Sequence, residues 1–190
     1  HEHERDRWRS VDGGGALMNQ SIHTIDLMLY LMGGVRSVWA LGGLEAHRDI
    51  EVEDVAVALL EFHSGARGVI QASTACYSNS GLPASIHICG DQGSIMMMDD
   101  KFSLWDLKHT LPEDQEIMKR FGIDMDASGA GAVDPKAIDF QWHQKNFENA
   151  MDSMRLGTKP LVDGAEGRRA VELINAIYHS IEKDGAKISL

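Results

Sequence analysis

The chain has 190 residues, of which 18 are Lys or Arg and 29 are Asp or Glu, so its formal net charge is −11. A hydrophobic content of 43% suits a globular protein and excludes a disordered, collagen-like or coiled-coil chain. No apolar run approaches the roughly 20 residues that a membrane-spanning helix needs, so we expect a soluble, cytoplasmic protein. The acidic balance argues against a nucleic-acid partner, which would require clustered Lys and Arg.

The two cysteines, Cys76 and Cys89, lie in apolar, strand-like segments and have no CxxC spacing. This pattern predicts buried free thiols in a reducing compartment. The chain begins at His1 rather than at a methionine. We therefore expect the sequence to be a piece of a longer protein, and no signal peptide is visible in it.

The first predicted element is a helix from about Ala16 to Met32. Its apolar residues recur at three- and four-residue spacing, as in Met18, Ile22, Ile25 and Leu29. Three glycines, Gly13 to Gly15, supply a turn before the helix, and Gly33 favours its end. Because apolar side chains also occupy the neighbouring faces, we expect this helix to be buried on most sides.

Six short segments rich in Val, Ile, Leu, Met and Ala follow, and each predicts a β-strand. They are Val35–Leu44, Val55–Phe62, Ala66–Cys76, Ala84–Cys89, Ser94–Met98 and Phe102–Leu107. Several connections between them have the length of a hairpin turn, which joins antiparallel neighbours. The pattern therefore predicts a mostly antiparallel sheet of about six strands.

The rest of the chain predicts one irregular segment and two helices. Residues from Pro112 to Pro135 contain a glycine-rich centre and indicate a long loop. Helices are predicted over Ala137–Leu156 and Gly164–Lys183. The order of elements favours a single α+β domain over residues 1–190, with an open-faced sheet and helices on one face. The other face, with apolar runs such as Ile95 to Met98, would be free to form a homo-oligomer.

The glycine-rich turn does not fit a nucleotide-binding loop. A dinucleotide fingerprint needs G-x-G-x-x-G after a buried strand. In this chain Met18 stands at the third glycine position, and the preceding residues 5–12 are charged. The sequence also lacks a Gly-Lys-Ser/Thr motif. We therefore expect no nucleotide to bind at this segment.

Asn19, His23 and Asp26 form a polar stripe on the first helix, because spacings of four and three residues place them near one side. Spacing alone leaves three interpretations open. His23 could be a core histidine that Asp26 orients, a proton carrier near neutral pH, or one half of a His–Asp metal pair. The metal interpretation lacks an evident third ligand.

Four segments carry motifs that are more specific in combination than any one of them alone. The first is Asp12-Gly-Gly-Gly-Ala-Leu-Met-Asn-Gln-Ser-Ile-His-Thr-Ile-Asp26. The others are Glu53-Asp54-Val-Ala-Val-Ala-Leu-Leu-Glu-Phe62, Gly90-Asp-Gln-Gly93 and Lys159-Pro-Leu-Val-Asp-Gly-Ala-Glu-Gly-Arg-Arg-Ala-Val-Glu-Leu173. In this order they resemble the helix opening, central hairpin, next turn and closing helix of the Gfo/Idh/MocA oxidoreductase family, the glucose–fructose oxidoreductase and inositol dehydrogenase group. The resemblance covers nearly all of the chain.

The resemblance implies a two-domain enzyme of which this chain is the C-terminal domain. An N-terminal Rossmann domain, absent from this chain, would bind NAD or NADP and carry a Glu-Lys-Pro motif whose Lys assists catalysis. The chain would supply the substrate pocket and, through the open sheet, a homodimer or homotetramer interface. In the full enzyme, hydride would pass between the nicotinamide and a carbon of a sugar, cyclitol or related polyol. The chain alone would bind no cofactor and show no redox activity.

The resemblance also assigns roles by position. His23 matches the family's catalytic His, the acid or base for a substrate hydroxyl or carbonyl. The family often has Asp four residues earlier, where this chain has Asn19, which can hydrogen-bond substrate but cannot exchange a proton. Gln20 beside it is a candidate substrate contact. The remaining candidate substrate contacts are Asp26, Lys136, Trp142 and His143.

Other polar residues have simpler interpretations. Trp142 and His143 could pack the start of a helix instead of contacting a sugar. Residues 7–9 (Arg-Trp-Arg) are solvated charge or, less favourably, the lining of a pocket. Arg168 and Arg169 are expected to form structural ion pairs, and residues 49–54 a solvated turn.

Two other function classes are also open. A non-catalytic sugar-binding or dimerisation module could use the same fold, since a fold alone does not establish function, and Asn19 in place of the usual Asp gives this alternative weight. A metal-dependent hydrolase using His23 and Asp26 is the third hypothesis, and for it we expect no bound metal.

Overall fold

A computed structural model describes residues 13–79, 81–123 and 141–190, with the backbone alone at 141 and 142. The chain divides into two compact units, His1–Cys76 with Asp139–Leu190, and Tyr77–Ile138. The described residues form four α-helices and two antiparallel sheets. The predicted α+β class and antiparallel pairing are therefore confirmed.

The sheet of the first unit contains four strands. They are β1 (Val35–Gly43), β2 (Val55–Phe62), β3 (Arg67–Ser73) and the short C-terminal β7 (Ile188–Ser189). Their spatial order is β3-β2-β1-β7, and every neighbouring pair is antiparallel. Burial alternates along β2, because successive side chains of a strand point to opposite faces. The sheet therefore has a buried inner face and an exposed outer face.

Two helices pack with the inner face to form the core. They are α1 (Ile22–Met32), which a π-helical turn (Ala16–Ser21) precedes, and α4 (Gly164–Glu182). The core comprises buried residues of these helices and of the three long strands, among them Leu17, Ile25, Leu29, Val38, Leu60, Phe62, Ile70, Leu173, Ile174 and Ile177. Helix α3 (Gln141–Leu156) belongs to the same unit. No helix in the described part of the chain combines the length and apolar character needed to cross a bilayer.

Two side chains fix helix α4 at its ends. Asp163 caps its N-terminus by accepting hydrogen bonds from the backbone amides of Ala165 and Glu166. Near the other end, the buried Ser180 hydroxyl accepts a hydrogen bond from the Ala40 amide at 2.8 Å and donates one to the Ala186 carbonyl at 2.6 Å. Ser180 thus connects α4 to β1 and to the turn that leads into β7.

The second unit contains a three-stranded antiparallel sheet and one helix. Its elements are β4 (Ser85–Gly90), β5 (Gly93–Met98), β6 (Lys101–Leu107) and α2 (Pro112–Phe121), with the strand order β4-β5-β6. The Trp105 indole nitrogen donates to the Asp114 carboxylate at 3.0 Å, which joins β6 to the first turn of α2. The six strands predicted from the sequence are all present, and they divide between two sheets because residues 74–84 separate β3 from β4 by more than a hairpin turn.

The predictions for the Pro112 segment and for the two cysteines are wrong. The loop predicted from Pro112 to Pro135 begins instead with helix α2, because proline at the first helical position and Asp114 in the first turn both favour a helix start. Residues 124–135 of that prediction lie outside the described residues. The thiols of Cys76 and Cys89 are exposed and not buried. Cys76 follows the end of β3, and Cys89 lies on β4, an edge strand.

The predicted solvated turn at residues 49–54 is also wrong for its last member, because the Asp54 side chain is fully buried. Burial alone would raise the pKa of Asp54, but hydrogen bonds from the backbone amides of His47, Glu45 and Ala46 outweigh it. The His47 ring adds a contact at 3.1 Å. The pKa of Asp54 therefore lies well below its usual range, and this one carboxylate organises the loop between β1 and β2.

Replacing Asp54 by Asn should make stability less dependent on pH. A carboxylate with a lowered folded-state pKa stabilises the protein above its unfolded-state pKa, about 3.9, and loses that effect as the pH falls further. Urea unfolding at pH 7 should show Asp54→Asn to be less stable by about 2–3 kcal/mol, and the gap should narrow below about pH 4. The exposed Asp49→Asn serves as the control. An equal gap at pH 7 and pH 3 would contradict this account.

Candidate functional site

The candidate site begins at the glycine turn before the π-helical turn. Gly14 has a φ of +93°, a conformation that favours glycine. At Gly15 a β-carbon would lie 2.1 Å from the Glu53 Oε2 atom and 2.2 Å from the Glu53 carbonyl oxygen. The two chain segments therefore approach more closely than any residue with a side chain at position 15 would allow.

Glu53 satisfies the first amides of the π-helical turn. Its backbone carbonyl accepts a hydrogen bond from the Ala16 amide at 3.0 Å, and its Oε1 atom accepts one from the Leu17 amide at 2.9 Å. Both Ala16 and Leu17 are fully buried, so neither amide has water as an alternative partner. A negative charge at this end of a helix also interacts favourably with the helix dipole.

The Tyr178 hydroxyl, from α4, donates to the same Glu53 Oε1 atom at 3.2 Å. Burial raises the pKa of Tyr178, and the neighbouring Glu53 carboxylate raises it further. The phenol therefore remains protonated and acts as a donor throughout the physiological pH range. Glu53 thus connects three parts of the first unit: the start of β2, the π-helical turn and helix α4.

The π-helical turn carries two of the predicted site residues. Asn19 is half-buried and Gln20 is exposed, and the Gln20 amide nitrogen lies 3.4 Å from the Asn19 Oδ1 atom. The Ser21 hydroxyl donates to the Ala16 carbonyl at 2.9 Å, which closes the widened turn. Isolated π-helical turns are rare in proteins and are frequent at functional sites.

His23 and Asp26 follow on α1, and both are exposed. The open interpretation of His23 as a core histidine is therefore wrong, and α1 is buried on fewer sides than predicted. On α1, Ile25 and Leu29 are buried, and Ile22, Met28 and Met32 pack partly against the core. Within the described residues, no hydrogen bond or ion pair joins His23 to Asp26. The imidazole is accessible to a small molecule.

Of the remaining predicted substrate contacts, only His143 has a side chain that the structure describes. Lys136 and residues 7–9 lie outside the described residues, as does the Trp142 side chain. His143 is exposed on α3. The ion pairs predicted for the α4 arginines are confirmed: Arg168 pairs with Glu172 at 2.6 Å and Arg169 with Glu166 at 2.8 Å.

Two observations concern bound groups at this segment. In the described part of the chain, no cluster of three or more His, Cys, Asp or Glu side chains could hold a metal ion. A phosphate at the helix start would need free backbone amides. Here the Glu53 carboxylate already occupies that position on the Leu17 amide, so this turn does not fit a dinucleotide pyrophosphate.

Sequence reasoning missed the two residues that hold the site together. In the sequence, Glu53 stands out only as part of the second family-like motif, and Tyr178 lies within the last predicted helix but outside the four motifs. The sequence signal that points to this neighbourhood is the run Gly13 to Gly15, because a glycine can mark a close approach by another chain segment.

Comparisons with known proteins identify the family of this chain. The family model described as the GFO/IDH/MocA C-terminal domain matches residues 1–96, half of the chain. No curated protein matches the chain in sequence.

Several solved structures share the fold. The WlbA dehydrogenase from Bordetella pertussis, solved with NADH and UDP-GlcNAcA, is 30% identical with a TM-score of 0.81, over 100% of this chain and 52% of that one. WlbA from Chromobacterium violaceum, with the same two ligands, is 31% identical with a TM-score of 0.78, over 97% of this chain and 48% of that one. Levoglucosan dehydrogenase, solved with NADH and levoglucosan, is 19% identical with a TM-score of 0.68, over 95% and 51% of the two chains, and shows the fold alone.

This chain therefore spans about half the length of the solved structures that it matches. Its family match, its α+β architecture and its motif order agree with one another. The chain belongs to the GFO/IDH/MocA family of oxidoreductases and contains the C-terminal domain of that family.

Proposed function

We propose that this chain is the substrate-binding and oligomerisation part of an NAD(P)-dependent oxidoreductase that acts on a sugar, a cyclitol or a related polyol. The observation that carries the proposal is the accessible His23 imidazole, one turn after the anchored π-helical turn with Asn19 and Gln20. Histidine is the side chain best suited to proton transfer near neutral pH.

The chain's own residues account for the proton and for substrate orientation. When an alcohol becomes a carbonyl, the carbon loses a hydride and the oxygen loses a proton. In our proposal His23 takes that proton, while the amides of Asn19 and Gln20 hydrogen-bond neighbouring hydroxyls. The nicotinamide coenzyme would supply the redox chemistry. Because the π-helical turn before α1 does not fit the coenzyme phosphates, other parts of the enzyme would hold the coenzyme.

The relatives suggest which substrate to test first. The two WlbA structures at 30% and 31% identity contain UDP-GlcNAcA together with NADH. We therefore propose a UDP-linked sugar as the first substrate class for the full-length enzyme, with free sugars and cyclitols as the comparison.

His23→Ala in the full-length enzyme should lower kcat by at least about 100-fold, because general acid–base catalysis contributes about 10²–10⁴-fold. The dissociation constant for NAD(H), measured by calorimetry, should stay unchanged. His63→Ala provides the matched control, since His63 is an exposed histidine outside the proposed site. Unchanged turnover in His23→Ala would reject the catalytic role and favour a non-catalytic sugar-binding module.

The outer face of the first sheet supports the oligomerisation part of the proposal. This face presents Leu41, Val57, Leu59 and Val69, and Leu59 and Val69 are 55% and 56% exposed. Leu59 lies opposite Val69 on β3, and Val57 lies opposite Leu41 on β1, so the side chains form a continuous apolar patch. Such a patch on a regular sheet fits a second copy of the same surface.

Leu59→Glu should weaken self-association, because it places a charge at the centre of the apolar patch. Light scattering coupled to size-exclusion chromatography should then report a smaller assembly than for the unmodified protein. Tyr30→Glu, which alters an exposed residue of α1 away from the outer face, is the control. If Leu59→Glu keeps the unmodified mass, the outer face is not the oligomer interface.

A further inference from the structure

We propose that Glu53 is a positioning residue for the candidate site: it holds the π-helical turn in the conformation that presents Asn19, Gln20 and His23 to the substrate. The inference rests on the proposed function of that segment. It assigns to Glu53 no contact with the substrate and no proton transfer.

Glu53 forms hydrogen bonds with residues that are distant from it in the sequence. The Ala16 and Leu17 amides donate to its carbonyl and carboxylate at 3.0 and 2.9 Å. The residue before the turn, Gly15, has no side chain that could cap the turn itself. Among the described residues, Glu53 therefore provides the capping interactions of this turn.

The closeness of Gly15 to Glu53 restricts how the turn can move. A β-carbon at position 15 would lie 2.1 Å from the carboxylate, so the glycine backbone packs directly against it. From α4, the Tyr178 hydroxyl donates a hydrogen bond to the Glu53 Oε1 atom at 3.2 Å. Contacts from two elements thus fix the carboxylate, and the fixed carboxylate restricts the movement of the π-helical turn.

The position of the turn matters because two proposed substrate contacts lie within it and His23 begins the next turn. Without its cap, the buried Leu17 amide would lack a partner, and the π-helical hydrogen bonds could relax to the commoner α-helical pattern. A shift of about 1 Å in a positioned group can cost about 100-fold in rate. Glu53 would therefore act on catalysis through the turn.

The test compares Glu53→Ala and Glu53→Gln in the full-length enzyme. Alanine removes the carboxylate that accepts from the Leu17 amide and keeps the backbone carbonyl that accepts from Ala16, whereas glutamine keeps a side-chain oxygen that can accept from the Leu17 amide. Glu53→Ala should lower kcat at least tenfold with a smaller change in KM, and Glu53→Gln should restore kcat to within about threefold of the unmodified enzyme. Glu61→Ala is the matched control, because Glu61 lies on the same strand and bonds Ser37 and Arg36 outside the proposed site.

A purely structural cap predicts a different result. In that case Glu53→Ala would lower the unfolding temperature, but the folded enzyme would keep the kcat of the unmodified protein, and this outcome would overturn the proposal. Should Glu53→Ala fail to fold, Tyr178→Phe removes only one contact to the same oxygen. It should speed hydrogen exchange at the Leu17 amide and lower kcat about twofold to fivefold, and no change in either quantity would equally overturn the proposal.

The proposed function and this inference fail separately. If His23→Ala leaves turnover unchanged, the catalytic role of His23 fails. If His23→Ala is inactive while Glu53→Ala and Tyr178→Phe retain the unmodified kcat, the function stands and the positioning role is rejected.

Discussion

Among the described glycines, Gly15 leaves the least room for a side chain, because the Glu53 carboxylate packs directly against it. This packing requires a residue without a side chain before the turn, and it requires a carboxylate at the start of β2 to satisfy the buried amide of Leu17. Tyr178 on α4 completes the arrangement from the opposite side. Three segments that are far apart in sequence therefore meet at one contact.

The neighbouring acid serves a different segment. Asp54 accepts backbone hydrogen bonds from the loop between β1 and β2, whereas Glu53 accepts them from the helix start. Two adjacent carboxylates thus order the two chain segments that meet at the beginning of β2. Neither carboxylate is a solvated surface charge, because backbone amides donate hydrogen bonds to each of them.

The sequence predicts the elements of this fold well where local patterns determine them. The bounds of β2 agree at both ends, and α1 ends at Met32 before Gly33, whose φ is +84°. The π-helical turn was beyond such reasoning, because its cap comes from a residue 36 positions away. Apolar periodicity likewise shows which side chains avoid water but not which face a neighbour covers, and for that reason it left the core-histidine interpretation of His23 open.

The sheet of the first unit separates the two surfaces to which we assign a function. The π-helical turn and α1 belong to the core on the inner face, whereas the apolar patch around Leu59 lies on the outer face. A partner on the outer face would leave His23 accessible. Strand β2 contributes to both, since it carries Leu59 and begins directly after Glu53 and Asp54. Self-association that ordered β2 would therefore also order the Glu53 carboxylate, which holds the π-helical turn. Oligomerisation and substrate orientation would then depend on the same strand.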